Sequence, residues 1–134
     1  MWSQRAAGAR GRVIAWDYHV VVLAHDPPEI WDLDTLLPFP SPAAIYLAKS
    51  FHPDVPEPYA PLFRVVDHRE LMATFASDRS HMVRPGGRYR RPPPPWPLIG
   101  VPDREPNLMR FVDVTTPYRG EVIDLATLRA RVAE

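Results

Sequence analysis

The chain of 134 residues contains no cysteine. Disulfides, thiolate metal sites and a thiol nucleophile are therefore excluded within these residues. Net charge is missing too. Sixteen basic and sixteen acidic side chains cancel, and the pI lies near 7.0. Nothing draws the chain as a whole to nucleic acid or to an anionic bilayer. No apolar run approaches the roughly 20 residues of a membrane span, because charge and proline interrupt every one. The opening stretch "MWSQRAAGARGR" has no apolar signal segment, and it lacks the serines and amphipathic period of an organellar transit peptide. A cytosolic location is expected. Lys49 is the only lysine and Asn107 the only asparagine, against fifteen arginines. That bias suits a GC-rich genome and says nothing of function.

What is abundant is proline, eighteen in all, which places much of the chain in fixed loops. The length suffices to bury roughly two-thirds of the unfolded surface, and neither a repeat nor a boundary interrupts it. A single domain over 1–134 is predicted, of α+β class, with an antiparallel β-sheet and flanking helices. "VIAWDYHVVVLA" (Val13 to Ala24) is rich in β-branched and aromatic residues and reads as a strand. "HDPP" is turn chemistry, and "EIWDLDTLL" (Glu29 to Leu37) reads as the returning strand. Ser41 is a candidate N-cap, with Pro42 at the first helical position. After a Pro-rich loop, "LFRVVD" (Leu62 to Asp67) reads as a short strand. The spacing then predicts a helix from about His68 to Ala76. Asp67 and Glu70 have capping-box spacing, and Leu71, Met72 and Phe75 form its buried stripe. "EVIDLATLRARVAE" gives a short strand and a last helix capped by Asp124, with Leu125, Leu128 and Val132 on one side.

Within the first strand, Asp17 and His19 are poor choices for core packing. Alternation places Asp17, His19 and Val21 on one face. With a turn centred on Asp26 and Pro27, His19 lies opposite Asp34, and Asp32 lies opposite Val21, diagonal to His19. Both acids are then within reach of the imidazole, and a slip of one residue would turn them away. A carboxylate beside an imidazole fixes its tautomer and stabilises the imidazolium, as in a nucleophile–base–acid triad. A hydrogen-bonded structural histidine fits the same spacing. So does a metal set of His19, His25, Asp32 and Asp34, although His25 falls in the turn. Trp16 and Trp31 either pack the reverse side of the hairpin or wall a cleft.

"WDYHVVVL", "IWDLDTLLPFP", "FRVV", "FASDRSHM", "PPPPWP" and "NLMRFV" occur in the order seen in the protein N-terminal glutamine amidohydrolase family, also described by its WDYHV motif. The resemblance runs from about Trp2 to Val132. It implies a papain-like or transglutaminase-like α+β fold and hydrolysis of the side-chain amide of an N-terminal glutamine to glutamate and ammonia. It makes His19 the catalytic histidine and Asp32, the first acid of "DLD", the catalytic aspartate. No metal or organic cofactor is implied, and the partner is a protein or peptide with N-terminal Gln. The hairpin loop is shorter here than in animal members. Nucleic acid and membrane are not expected partners.

The family's nucleophile is a cysteine near the start of the domain, which these residues do not contain. "MWSQR" resembles the family segment just before the WDYHV strand, so the helix carrying the nucleophile is expected upstream of Met1. Ser3 lies in the later segment and is a poor substitute. Loss of the nucleophile costs on the order of 10⁶ in kcat, so the chain is expected to be inactive alone. Three readings follow: an N-terminally truncated domain, a non-catalytic module binding Gln-terminal peptides, or a second chain supplying the missing part. In "SDRSHM", Asp78 is a candidate for holding the substrate's α-ammonium. An Asp78–Arg79 network fixing the loop is the competing reading, and His81 is equally a loop hydrogen-bonder. "RRPPPPWP" reads as a fixed structural loop in preference to a polyproline ligand of an SH3 or WW domain, and "RYRR" as a solvated face in preference to a phosphate contact.

Overall fold

Asp26 and Pro27 turn the chain where the sequence places the turn. In the computed structural model, which describes residues 1–8, 12–95, 97–100 and 105–133, β1 (Val22–His25) and β2 (Pro28–Trp31) form an antiparallel hairpin. Val22 faces Trp31 and His25 faces Pro28, which is the expected register. The strands themselves are shorter than predicted. Upstream of β1 the chain bends at Asp17, and Ile14 exchanges its backbone bonds with Met1. Beyond β2 the side chain of Asp32 accepts from the Asp34 N–H at 2.9 Å and draws the chain out of the ladder.

A two-residue strand, β3 (Ser41–Pro42), adds to β2 with Ser41 opposite Ile30, and α1 (Ala43–Ser50) follows directly. Ser41 is not the helix cap that the sequence suggests. Its backbone is engaged in the ladder and its hydroxyl donates to the Pro38 carbonyl. Pro42 takes the cap position without a side-chain bond. Then come β4 (Leu62–Val65), α2 (His68–Thr74), β5 (Ala76–Ser77), β6 (Ile99–Gly100), α3 (Leu108–Val112), β7 (Glu121–Asp124) and α4 (Leu125–Arg131). The strands form sheets β1-β2-β3, β4-β7 and β5-β6. The class is thus mixed α and β with small sheets, where the sequence suggested one antiparallel sheet. No helix among the described residues is long and apolar enough to cross a membrane.

The chain divides into two compact units, residues 1–63 with 123–134, and residues 64–122. In the first, α1 buries Ala43, Tyr46, Leu47 and Ser50, the i, i+3, i+4, i+7 positions of one helix face. Ile30, Phe51, Ile123, Leu128 and Val132 complete the core. Phe51 meets Phe63 edge-on at 5.1 Å. Arg129 donates to the carbonyls of Leu47 and Phe51 at 3.3 and 3.0 Å, so a cation closes the C-terminal end of α1. Asp124 caps α4 through the Thr127 N–H, as predicted.

In the second unit, Asp67 caps α2 through the N–H groups of Arg69 and Glu70. The Glu70 carboxylate pairs with Arg119 at 3.0 Å. The predicted stripe is only partly right: Met72 is 69% exposed, and Thr74 is buried instead. At seven residues the helix makes two turns, too few for periodicity to choose its inner face. Arg64 donates to four backbone carbonyls, those of Phe111, Asp113, Thr116 and Arg119. Phe111 stacks edge-on against both Phe75 and Tyr118. Asn107 accepts from Ala76 N–H at 2.9 Å and donates to the Thr74 carbonyl at 2.7 Å, tying the end of α2 to the start of α3. Gly120, at φ +71°, lets the backbone pass so close that an added Cβ would sit 2.2 Å from the Val65 carbonyl oxygen. Arg79 donates to the carbonyls of Pro94 and Pro97, which fits a fixed polyproline loop. Trp96 lies outside the described residues.

Candidate active site

His19 lies three residues before β1 and Asp32 directly after β2, so the hairpin brings them together although neither is in its ladder. The His19 Nε2 atom lies 2.9 Å from Asp32 Oδ1, with side chains 17% and 1% exposed. The bend at Asp17 sets Trp16 and His19 on the same side, which strict strand alternation forbids for an odd spacing. Their rings stack at 5.1 Å with 15° between planes. Trp31 instead packs edge-on against Phe39.

Strand pairing alone left Asp32 and Asp34 as equal candidates. They part because the chain turns between them. Asp34 sends its carboxylate to the Ala6 N–H at 3.1 Å, while Asp32 faces inward with four partners. Its Oδ1 accepts from His19 and from Asp34 N–H. Its Oδ2 accepts from the Tyr46 hydroxyl at 2.8 Å and the Gln4 amide at 3.0 Å. Two bonds at each oxygen use the full accepting capacity of a carboxylate.

Gln4 arrives through a segment laced to the loop after β2. It bridges Thr35, Arg5 N–H donates to the Asp34 carbonyl at 2.7 Å, and Leu36 N–H donates to the Ser3 carbonyl at 2.7 Å. Ser3, at φ +58°, turns this segment, and its hydroxyl donates to the Lys49 carbonyl. The sequence missed both Gln4 and Tyr46. Tyr46 carried a signal, as a phenol hydroxyl on the buried face of a helix must find an acceptor. Gln4 carried none, sitting 28 residues from Asp32 in a segment without period.

Burial opposes ionisation of Asp32, but the bonds from Asp34 N–H, Tyr46 and Gln4, with the nearby His19, outweigh it and hold the carboxyl below its ordinary range. Burial and the Asp32 carboxylate push the Tyr46 hydroxyl far above the usual phenol value, so Tyr46 acts as a donor at any physiological pH. Because the folded value of Asp32 lies below the unfolded one, its stabilisation is complete above about pH 4. It is lost as pH falls through the folded value. The difference in urea midpoint between the wild type and Asp32→Asn is therefore expected to be wide at pH 7 and to narrow below about pH 4.

With its proton on Nε2 and shared with Asp32, the imidazole presents Nδ1 as the basic nitrogen. The arrangement can orient a base and stabilise its protonated form. Among the described residues no group of three or more His, Asp, Glu or Cys side chains is placed to hold a metal ion. His25 is exposed at the end of β1, so the metal set weighed as an alternative from the sequence is not assembled among the described residues.

Asp78 lies in the second unit and is exposed. It accepts from Ser80 N–H at 2.8 Å, and the Ser80 hydroxyl and N–H hold its carboxyl below the ordinary range. With Ser77, His81 and Arg110 it lines a cavity of about 130 Å³. Asp78 is exposed, not buried as the competing Asp78–Arg79 reading had it, and the Arg79 guanidinium donates to the Pro94 and Pro97 carbonyls.

The model of the N-terminal glutamine amidase family matches residues 1–132. The chain is 40% identical over 119 residues to the protein N-terminal glutamine amidohydrolase of Bos taurus, covering 85% of this chain and 57% of the relative. The protein of the same name from Danio rerio is 38% identical over 133 residues, covering 94% and 65%. That from Arabidopsis thaliana is 32% identical over 142 residues, covering 100% and 64%. The chain thus spans about three-fifths of the length of these relatives. By the match over nearly its whole length, it belongs to the N-terminal glutamine amidase family.

Proposed function

We propose that this domain serves hydrolysis of the side-chain amide of an N-terminal glutamine, on a protein or peptide, to glutamate and ammonia. The observation that carries the reading is the buried Asp32 carboxylate, saturated with donors and bonded to His19 Nε2, in a chain of this family. His19 Nδ1 takes the proton of a thiol nucleophile, whose sulfur attacks the amide carbon. The C–N bond then breaks as His19 returns the proton to departing ammonia. Water, activated by the same nitrogen, cleaves the thioester and restores the thiol. Asp32 holds the ring and stabilises the imidazolium in both halves. The thiol is not among these 134 residues, and the core in this reading is papain-like. Asp78, ionised and beside a cavity, is the proposed anchor of the substrate's α-ammonium.

Ammonia release from a Gln-terminal peptide tests the reading. The 134 residues alone are expected to release none above background. A fusion with the cysteine-bearing segment of a curated relative should release ammonia, and His19→Ala in that fusion should abolish it. In the same fusion, Asp78→Asn is expected to raise KM with little change in melting temperature. Specific binding of the peptide without release from the fusion would favour a non-catalytic module. Neither binding nor release would end both readings.

A further inference from the structure

We infer that Gln4 and Tyr46 are positioning residues for His19. By holding Oδ2 of Asp32 from two segments, they fix Oδ1 on Nε2 and so decide that Nδ1 is the nitrogen offered for proton transfer. The inference rests on the amidase reading for what that proton transfer serves, but its geometry stands apart from turnover.

A carboxylate is symmetric and an imidazole nearly so. Left to themselves, Asp32 could rotate and the ring could present either nitrogen to it. Rotation here would break four hydrogen bonds at once. Tyr46 can only donate toward the ionised acid. The Gln4 amide is fixed in the same sense, because a flip would set its oxygen against the carboxylate. Both side chains are essentially inaccessible, Gln4 at 0% and Tyr46 at 1% exposure. They approach from opposite directions in sequence, one before β1 and one from α1.

A second observation separates positioning from simple stabilisation. Among the described residues, the Gln4 Oε1 atom is buried without a hydrogen-bond partner. A buried polar atom without a partner is destabilising. Retaining the amide despite its orphaned oxygen fits a group kept for its N–H donor.

The test uses the purified 134-residue chain and two NMR signals: the ring nitrogens of His19, which report the tautomer, and the Asp32 carboxyl carbon, which reports its titration. Tyr46→Phe and Gln4→Met each remove one donor at similar volume. The wild type is expected to show the Nε2-protonated tautomer alone. Each variant should show a mixture of tautomers, with the Asp32 midpoint moved up by about one pH unit. A merely structural role would lower the melting temperature and leave both signals in place, which would overturn the inference. Should one variant fail to fold, the other gives the answer. Loss of folding in both would also overturn it, in favour of a structural role. If the tautomer shifts but the fusion releases no ammonia, the amidase reading falls and the positioning role stands.

Discussion

Replacing Asp32 by alanine is expected to lower the unfolding free energy by about 3–5 kcal/mol. The side chain is 1% exposed, and its removal strands the Tyr46 hydroxyl, the Gln4 amide and the Asp34 N–H in a space closed to water. Each donor left without an acceptor costs about 1–3 kcal/mol, tempered by whatever water enters the cavity. Total stability for a domain is about 5–15 kcal/mol, so the loss is a large fraction of it. Asparagine is the sharper control. Its NH₂ group must replace one oxygen, and either choice sets donor against donor, at Gln4 or at Asp34 N–H. In an active fusion, Asp32→Asn is expected to reduce kcat by about 10⁴, the scale of losing the orienting carboxylate of a triad. Urea unfolding and the ammonia assay check the two effects separately. An alanine variant as stable as the wild type would show that the carboxylate does not hold these donors.

Arg64→Lys is expected to destabilise the second unit by about 2–3 kcal/mol. The guanidinium spans four carbonyls of residues 111–119, and its planar fork reaches all four with one side chain. An ammonium keeps the charge but carries three donors on a point, so at least one carbonyl loses its partner. These carbonyls lie on α3 and the loop that leads to β7, beside the Phe75–Phe111–Tyr118 ring contacts. Faster amide hydrogen exchange across residues 111–119, with slow exchange retained in α1, would mark the damage as local. Unchanged exchange would show that the four bonds are replaceable by solvent.

The hairpin was legible because its signals are local: two prolines with an aspartate make the turn, and the centre of that turn sets the register. The approach of Asp32 to His19 followed from that register. What was not legible is the reason Asp32 and not Asp34 meets the ring from geometry alone. A strand places both acids on one face, and only the turn after Asp32 separates them. The resemblance to known relatives made that choice; residue spacing did not. Ser41 shows a related failure, since its cap signature is real but the backbone was already engaged in a ladder. Met72 was misplaced because a helix of two turns has no decisive period. Gln4 could not be found at all, because the contact depends on a segment whose path is set by backbone bonds to distant residues.

The stacking of Trp16 on His19 has an optical consequence. A protonated imidazole is an efficient quencher of an excited indole, whereas the neutral ring is a weak one. At 5.1 Å and with only 15° between the ring planes, the pair couples the emission of Trp16 to the charge of His19. With Trp2, Trp31 and Trp96 replaced, the remaining emission would report the charge on this one ring in dilute solution without a label.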